Sequence, residues 1–260
     1  MMQESNSSFN KGYAYFYDMF YQKKNYNHEL DCIKKVLNKR NFDLNRKQIL
    51  EIGCGTGNFS VILQPNNSLT AIDPSMEMIK IAKNKFKYMQ SNFHQLSISE
   101  FNLLNNDSKQ FDVIVLLFHV FSYLSMSDVG ELKELVEKHL SNNGMLILDY
   151  WDRSGISITP PTITTKEIIK KDSIMIRTTT PLTTKKFQNY TDYSIEIVIN
   201  EKKLGEPIRI CASEIHCLRA YDSQYIDKIM SNLNCVGNMD LLTGKNYQGK
   251  NYGNCKFFVK

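Results

Sequence analysis

The feature that most constrains this chain is the run Ile49-Leu50-Glu51-Ile52-Gly53-Cys54-Gly55-Thr56-Gly57-Asn58-Phe59, in which a buried strand passes straight into a glycine turn that opens a helix. Glycine lacks a Cβ and tolerates φ > 0, so the backbone turns sharply there and a ligand can approach the main chain. The next apolar run, Leu69 to Ile72, ends at Asp73, where a carboxylate can accept hydrogen bonds from both hydroxyls of a ribose. Together these elements specify a nucleoside lying across the carboxyl ends of two neighbouring strands.

The kind of nucleoside follows from two departures from the dinucleotide fingerprint. That fingerprint, G-x-G-x-x-G, needs glycine at position 58, where this chain has Asn58, and the spacing is G-x-G-x-G. Glu51 stands two residues before the turn, and an acid beside the pocket disfavours a pyrophosphate and favours a cation. Glu51 has a structural alternative as partner to helix amides, and Cys54 between its glycines reads as a small filler of the turn.

The rest of the chain supplies the frame. Strand-like runs at Gln48 to Ile52, Leu69 to Ile72, Phe111 to Phe118 and Gly144 to Tyr150 alternate with helical stretches around 75 to 87 and 128 to 141. This order predicts right-handed crossovers and a parallel sheet covered by helices on both faces. Two amphipathic helices, 9 to 22 and 26 to 40, lead in. After Trp151 alternating, threonine-rich segments (Ile174 to Thr180, Tyr193 to Ile199, Ile208 to Tyr221) predict an antiparallel insertion with a hairpin over Asn200 to Pro207. A helix at Ser223 to Leu233 and strands at Asn234 to Leu242 and Cys255 to Lys260 close the chain. The expected organisation is one domain of 260 residues: lead-in helices 1–46, ligand-binding core 47–150, antiparallel acceptor lobe 151–221, and a closing helix with two strands 222–260.

Composition narrows the function classes. With 42% hydrophobic and 23% charged residues this is the composition of a folded domain. No run approaches the roughly 20 apolar residues of a membrane span, and the start, MMQESNSSFNKGY, has no apolar signal core, so a cytoplasmic protein with no membrane association is expected. The net charge of +5 is scattered among acids, which argues against nucleic acid as substrate. The six cysteines form no C-x-x-C pair, so neither structural zinc nor another metal is expected, and without a secretion signal they read as reduced thiols.

On the glycine turn, Asp73 and the fourth-strand run Phe111-Asp112-Val113-Ile114-Val115-Leu116-Leu117-Phe118-His119, the sequence resembles the class I S-adenosylmethionine-dependent methyltransferases over about residues 48 to 150. The resemblance implies a Rossmann-like α/β fold, a seven-stranded sheet here carrying the antiparallel β insertion, and S-adenosyl-L-methionine as cofactor. That ligand bears an ammonium and a sulfonium and no phosphate. The implied cofactor residues are Glu51, Gly53, Cys54, Gly55, Gly57, Asp73, Met76, Leu117 and Phe118, with Asn92 and Phe93 on the adenine, where aspartate is more usual than Asn92.

The acceptor side resembles the branch that N,N-dimethylates nucleotide-linked amino sugars. The matching segments are Tyr17-Asp18-Met19-Phe20-Tyr21 with Asn25-Tyr26-Asn27-His28-Glu29, Leu117 to Leu124, Asp149-Tyr150-Trp151 and Glu214-Ile215-His216. No Asn- or Asp-Pro-Pro-aromatic or Pro-Cys motif of the DNA enzymes is present. His119 and Tyr123 are the candidates to contact the acceptor, since they leave the fourth strand where it should sit, and that branch has a histidine at the position of Tyr123. His119 can equally be a packed histidine, and Tyr123 a wall. Tyr17 and Tyr26 either close over the methionine part of the cofactor or pack between helices. Glu214 and His216 share a strand face and could bind substrate, and Trp151 either stacks on the substrate's base or caps the core. Asp149 and Asp152 make no convincing metal pair. The expected acceptor is a small nucleotide-linked sugar in the biosynthesis of a surface polysaccharide or glycoside. The alternatives are O-methylation of a sugar, phosphate-bearing group or other small metabolite, and a cofactor-binding partner subunit without turnover; a homodimer is the assembly allowed.

Overall fold

The computed structural model describes residue 9, residues 11–104 and residues 109–260; the opening segment read for a signal core, 1–8 with Asn10, lies outside the described residues. The chain enters through two amphipathic helices. α1 (Lys11–Tyr21) buries Tyr13, Ala14 and Phe20, and α2 (Tyr26–Asn38) buries Leu30, Cys32, Ile33 and Leu37 after the Asn25 side chain accepts the His28 amide. β1 (Gln48–Ile52) leads into the short α3 (Ser60–Leu63), β2 (Ser68–Asp73) into α4 (Met76–Lys85), and β3 (Phe93–Gln95) into α5 (Ile98–Leu104). β4 (Phe111–Leu116) is followed by α6 (Val120–Tyr123) and α7 (Met126–His139), the latter opened by a capping box between Ser125 and Asp128. β5 (Leu140–Asp152) and α8 (Arg153–Ile158) pass into the insertion, which comprises β6 (Thr164–Ile169), β7 (Ser173–Lys186), β8 (Tyr190–Lys203) and β9 (Arg209–Tyr221). α9 (Ser223–Ile229), β10 (Asn234–Asp240), β11 (Lys245–Asn246) and β12 (Gly253–Val259) follow. Among the described residues no helix is long and apolar enough to cross a membrane.

The strand order β3-β2-β1-β4-β5 is parallel throughout, and β12 then β10 extend it antiparallel beyond β5. Alternation along each strand feeds two cores. Ile49, Val113 and Ile147 face α2 and α4 on one side, while Leu50, Ile114 and Leu146 face α7 and α9 on the other. Each such side chain contributes roughly 1.5–3 kcal/mol by leaving water.

The insertion is an antiparallel ladder β6-β7-β8-β9, joined to the core sheet where Trp151 and Asp152 of β5 pair in parallel with Ala220 and Tyr221 of β9. Its inner face, with Met175, Ile195, Ile197, Ile199 and Leu218, packs beneath Tyr13 and Phe20 of α1. The lead-in helix and the insertion therefore share one core above the sheet's carboxyl edge.

Several expected boundaries move. The fourth strand ends at Leu116 instead of Phe118, because Phe118 and His119 adopt φ of 63° and 65°, left-handed backbone that leaves a ladder. The hairpin after β8 tightens because β8 runs on to Lys203, and the helix expected to reach Leu233 stops at Ile229. β6 was not foreseen because Thr164–Ile169 is a largely exposed strand whose sequence does not alternate.

Two of the glycines of the turn, Gly55 and Gly57, have different tasks. Gly55 (φ 54°) has nothing within 4 Å of the place a Cβ would take, so its side faces open space. Gly57 (φ 78°) is instead overlaid by rings: a Cβ would come within 2.8 Å of Phe93 Cζ and 3.2 Å of Phe86. Gly55→Ala is expected to cost about 1 kcal/mol of left-handed strain. Gly57→Ala should cost about 2–4 kcal/mol, since overpacking adds to the strain. Denaturant unfolding of the two variants checks the order; equal losses would contradict it.

Candidate functional site

A cavity of about 650 Å³ opens at the carboxyl ends of β1, β2 and β4, where the strand order reverses between β1 and its two neighbours. Asp73 ends β2 at its wall. One carboxylate oxygen accepts the Gly55 amide at 2.9 Å and the other the Ser75 amide at 2.8 Å. Burial pushes the Asp73 carboxyl up to about 6, against the pull of those two amides. Leu96, Leu117, Val120 and Leu124 supply apolar wall, and Tyr123 stands among the lining residues with Cys217. Among the described residues the lining includes Asp73, Glu77 and Asp128 and no lysine or arginine.

A smaller pocket adjoins, sharing Tyr17, Gly53, Gly55, Leu117 and Phe118 with the first. It holds Glu51, Glu29 and Lys24. Glu51 accepts the Ser60 hydroxyl at 2.5 Å, and burial pushes its carboxyl up to about 8 despite that bond. Lys24 pairs with Glu29, its ammonium lying 4.5 Å from the Phe118 ring centroid and 5.0 Å from that of Tyr26. One lysine beside two glutamates is a donor set that suits the ammonium and carboxylate of an amino acid.

Asp18 ties α1 down over this pocket. Its Oδ1 accepts Thr56 Oγ1 at 2.6 Å and Asn58 Nδ2 at 2.9 Å, and its Oδ2 pairs with Lys85 at 2.6 Å. Burial raises its pKa, but the bonds from Lys85, Thr56 and Asn58 win and the carboxyl is held low. Tyr17, one residue earlier, thereby lines both pockets, and Tyr26 lines the smaller.

Beyond Phe118 lies a further cavity of about 340 Å³, with His119 and Asp149 among its lining residues. Asp149 Oδ1 accepts the strained His119 amide at 2.6 Å, and His119 Nδ1 is 3.4 Å from Asp149 Oδ2. Burial drives His119 down to about 4 and Asp149 up to about 7, so at neutral pH the imidazole is uncharged.

The structure gathers most residues expected from the sequence: Tyr17, Gly53, Gly55, Asp73, Met76, Leu117, Phe118 and Tyr123 line the larger cavity, and Tyr26, Glu51 and Cys54 the smaller. Others it does not. Asn92 donates to the Leu69 carbonyl at 2.7 Å and Phe93 is fully buried against Phe86; neither lines the cavities, because β3 is Phe93–Gln95 and the residues leaving it are Leu96 and Ser97. Gly57 makes room for Phe93 and does not line the cavities. His119 and Tyr123 do not face one cavity; His119 turns to the far side of Phe118. Trp151 packs between Tyr193 and Tyr252, ring centroids 6.0 and 5.8 Å away, and lines none of the three cavities. Glu214 and His216 also line none, standing instead behind Tyr123. Sequence reasoning missed Ser75, Lys24 and the anchoring role of Asp18. The Asp73-Pro74-Ser75 turn before a helix was the available signal for Ser75.

Residues 50–146 match the family model described as a methyltransferase domain. The whole chain is similar in shape to an S-adenosylmethionine-dependent methyltransferase from Clostridium acetobutylicum, with a TM-score of 0.71 and 22% identity over 95% of this chain and 97% of that one. It is similar also to the sugar N-methyltransferase KedS8 from Streptoalloteichus, with a TM-score of 0.69 and 16% identity over 94% of this chain and 92% of that one. A curated protein of Geobacillus sp. (strain WCH70) assigned to the methyltransferases is 28% identical over 143 residues, 54% of this chain and 56% of its own length. The chain thus aligns with about half of that relative.

Glu51 sets a pH dependence. Its folded pKa of about 8 lies above the ordinary 4.5, so the folded state holds the proton more tightly, and that stability is lost as pH rises through 8. Between pH 6.5 and 8.5 the ligand-free protein should lose ~2 kcal/mol through this group. Denaturant midpoints at the two pH values should show the loss shrinking by that amount in Glu51→Gln; an unchanged difference would contradict the assignment.

Proposed function

We propose that this chain, which has the Rossmann-like fold of the class I S-adenosylmethionine-dependent methyltransferases, transfers a methyl group from S-adenosyl-L-methionine to the amine of a nucleotide-linked amino sugar. The observation that carries the reading is the division of charge between the two adjoining pockets. Among the described residues the larger is lined by carboxylates and no basic side chain, which suits a nucleoside without phosphate, and the smaller is lined by Lys24, paired with Glu29, and by Glu51, which suits an amino acid. S-adenosyl-L-methionine joins those two halves, and it is the cofactor.

Asp73 would hold the ribose hydroxyls, each oxygen having one amide already and room for a further donor. Leu96, Leu117, Val120 and Leu124 would enclose the base. Lys24 would meet the methionine carboxylate, and Glu51 and Glu29 the ammonium. When bound, the cofactor supplies an electrophilic methyl group. The chain's own residues have then to align the acceptor and keep water out. Tyr17 and Phe118 form the shared wall of the two pockets, and Asp18 fixes the helix that carries Tyr17. Tyr123 is the side chain we place against the acceptor, since it lines the larger cavity and His119 does not.

The sugar class is supported by the likeness to a sugar N-methyltransferase, which extends through the antiparallel lobe.

A transfer assay with methyl-tritiated S-adenosylmethionine, run over nucleotide-linked amino sugars, their hydroxyl counterparts and RNA, tests the reading. Label is expected in an amino-sugar nucleotide and in neither of the others. Label in the hydroxyl counterparts would move the reaction to O-methylation, and cofactor binding without transfer to any small acceptor would favour a partner subunit.

A further inference from the structure

β9 directs Glu214 and His216, two residues apart on one strand face, inward beneath the lead-in segment. The His216 ring is 1% exposed and enclosed by Phe9, Tyr13 and Tyr123, with ring centroids at 5.0, 5.1 and 5.8 Å. Its Nδ1 lies 3.0 Å from the Tyr123 hydroxyl. Its Nε2 lies 3.4 Å from Glu214 Oε2, within ion-pair reach, and makes no hydrogen bond among the described residues. Glu214 Oε2 is itself fixed by the Phe9 amide at 2.8 Å. Tyr123, Nδ1, Nε2 and the carboxylate thus form a line leading from a cavity-lining residue into the buried interior.

The chemistry of the line sets its polarity. A carboxylate accepts and does not donate, so the imidazole hydrogen belongs on Nε2, the ring nitrogen beside Glu214. Nδ1 is then a bare acceptor, and the only hydrogen it can take is the Tyr123 hydroxyl's. Burial holds that phenol well above its ordinary pKa, which keeps the hydrogen on the oxygen until it is donated. With the hydrogen committed inward, the lone pairs of Tyr123 Oη are what this cavity-lining residue has left to offer an acceptor.

We propose that Glu214 and His216 are positioning residues that fix the Tyr123 hydroxyl as a hydrogen-bond acceptor toward the cavity, so that the atom taking the methyl group must carry a hydrogen of its own. This rests on the methyl transfer proposed above. As that atom bonds to the methyl carbon, the carbon–sulfur bond would break with its electron pair left on sulfur, neutralising the sulfonium; the atom's N–H or O–H bond breaks and its proton passes to Tyr123 Oη while the tyrosine proton passes to His216 Nδ1. The charge ends on an imidazolium facing Glu214, and no proton is left in the cavity. A hydrogen-free nucleophile such as a tertiary amine finds no donor here and is disfavoured.

Two measurements test this. Histidine 15N NMR of the full-length, ligand-free protein, with His216 assigned by its loss in His216→Gln, reads the tautomer directly. We expect hydrogen on Nε2, with an Nδ1 resonance that moves in Tyr123→Phe, a variant that removes one hydroxyl and leaves the ring packing. A hydrogen on Nδ1, or an Nδ1 signal indifferent to Tyr123→Phe, overturns the proposal whether or not methyl transfer is ever found. With the amino-sugar nucleotide labelled in the transfer assay as acceptor, Glu214→Gln should lower kcat by about ten- to a hundredfold while KM stays within about twofold. A raised KM with unchanged kcat would reduce Glu214 to a structural role and overturn it equally.

Discussion

The Asp73 carboxylate held between two backbone amides is the interaction on which the rest of the site depends. A buried carboxylate is costly unless hydrogen bonded, and here the Gly55 and Ser75 amides bond it from opposite sides. One belongs to the glycine turn after β1 and the other to the cap of α4, so the acid ties the two βα junctions together. Ser75 extends the tie, because its hydroxyl donates to the Phe9 carbonyl at 2.9 Å and so reaches the lead-in segment. Those amides leave part of each oxygen free toward a cavity that has no basic side chain among its described lining residues. In the function proposed, the same acid that organises the turn is therefore also the one that would hold the ribose.

A second constraint lies at the end of β4. Phe118 and His119 both sit in left-handed backbone, a conformation that costs on the order of 1–3 kcal/mol for a non-glycine residue. Asp149 at the end of β5 compensates by accepting the His119 amide. The kink turns the Phe118 ring into the wall between the two adjoining pockets and sends the His119 ring to the far side. The uncharged His119 is thus part of the wall's support, and Tyr123, with Glu214 and His216 behind it, is the one of the pair that lines the larger cavity.

What the sequence revealed depended on distance along the chain. The glycine turn, Glu51 and Asp73 lie within one strand-turn-helix-strand unit whose geometry is fixed locally, and all three sit where their spacing placed them. Asn92 and Phe93 were misplaced because a three-residue strand has no period from which to read where it ends. Gly57 carries the same letter as Gly55, and only the approach of Phe93, a long-range contact, separates the two. The alternation of β9 did put Glu214 and His216 on one face, but which face met Tyr123 depended on α1 packing over the insertion. Trp151 was drawn toward the site by its neighbours in sequence, whereas Tyr193 and Tyr252, distant in the chain, hold its ring elsewhere.

Calorimetric titration of the protein with S-adenosylmethionine and, separately, with ATP tests the central claim most directly, because the two share an adenosine and differ in the charge attached to it. Saturable binding of S-adenosylmethionine, weakened at least tenfold in Asp73→Ala, with no measurable heat from ATP, is the predicted result. Binding of ATP in preference to S-adenosylmethionine, or S-adenosylmethionine binding that ignores Asp73→Ala, would contradict it.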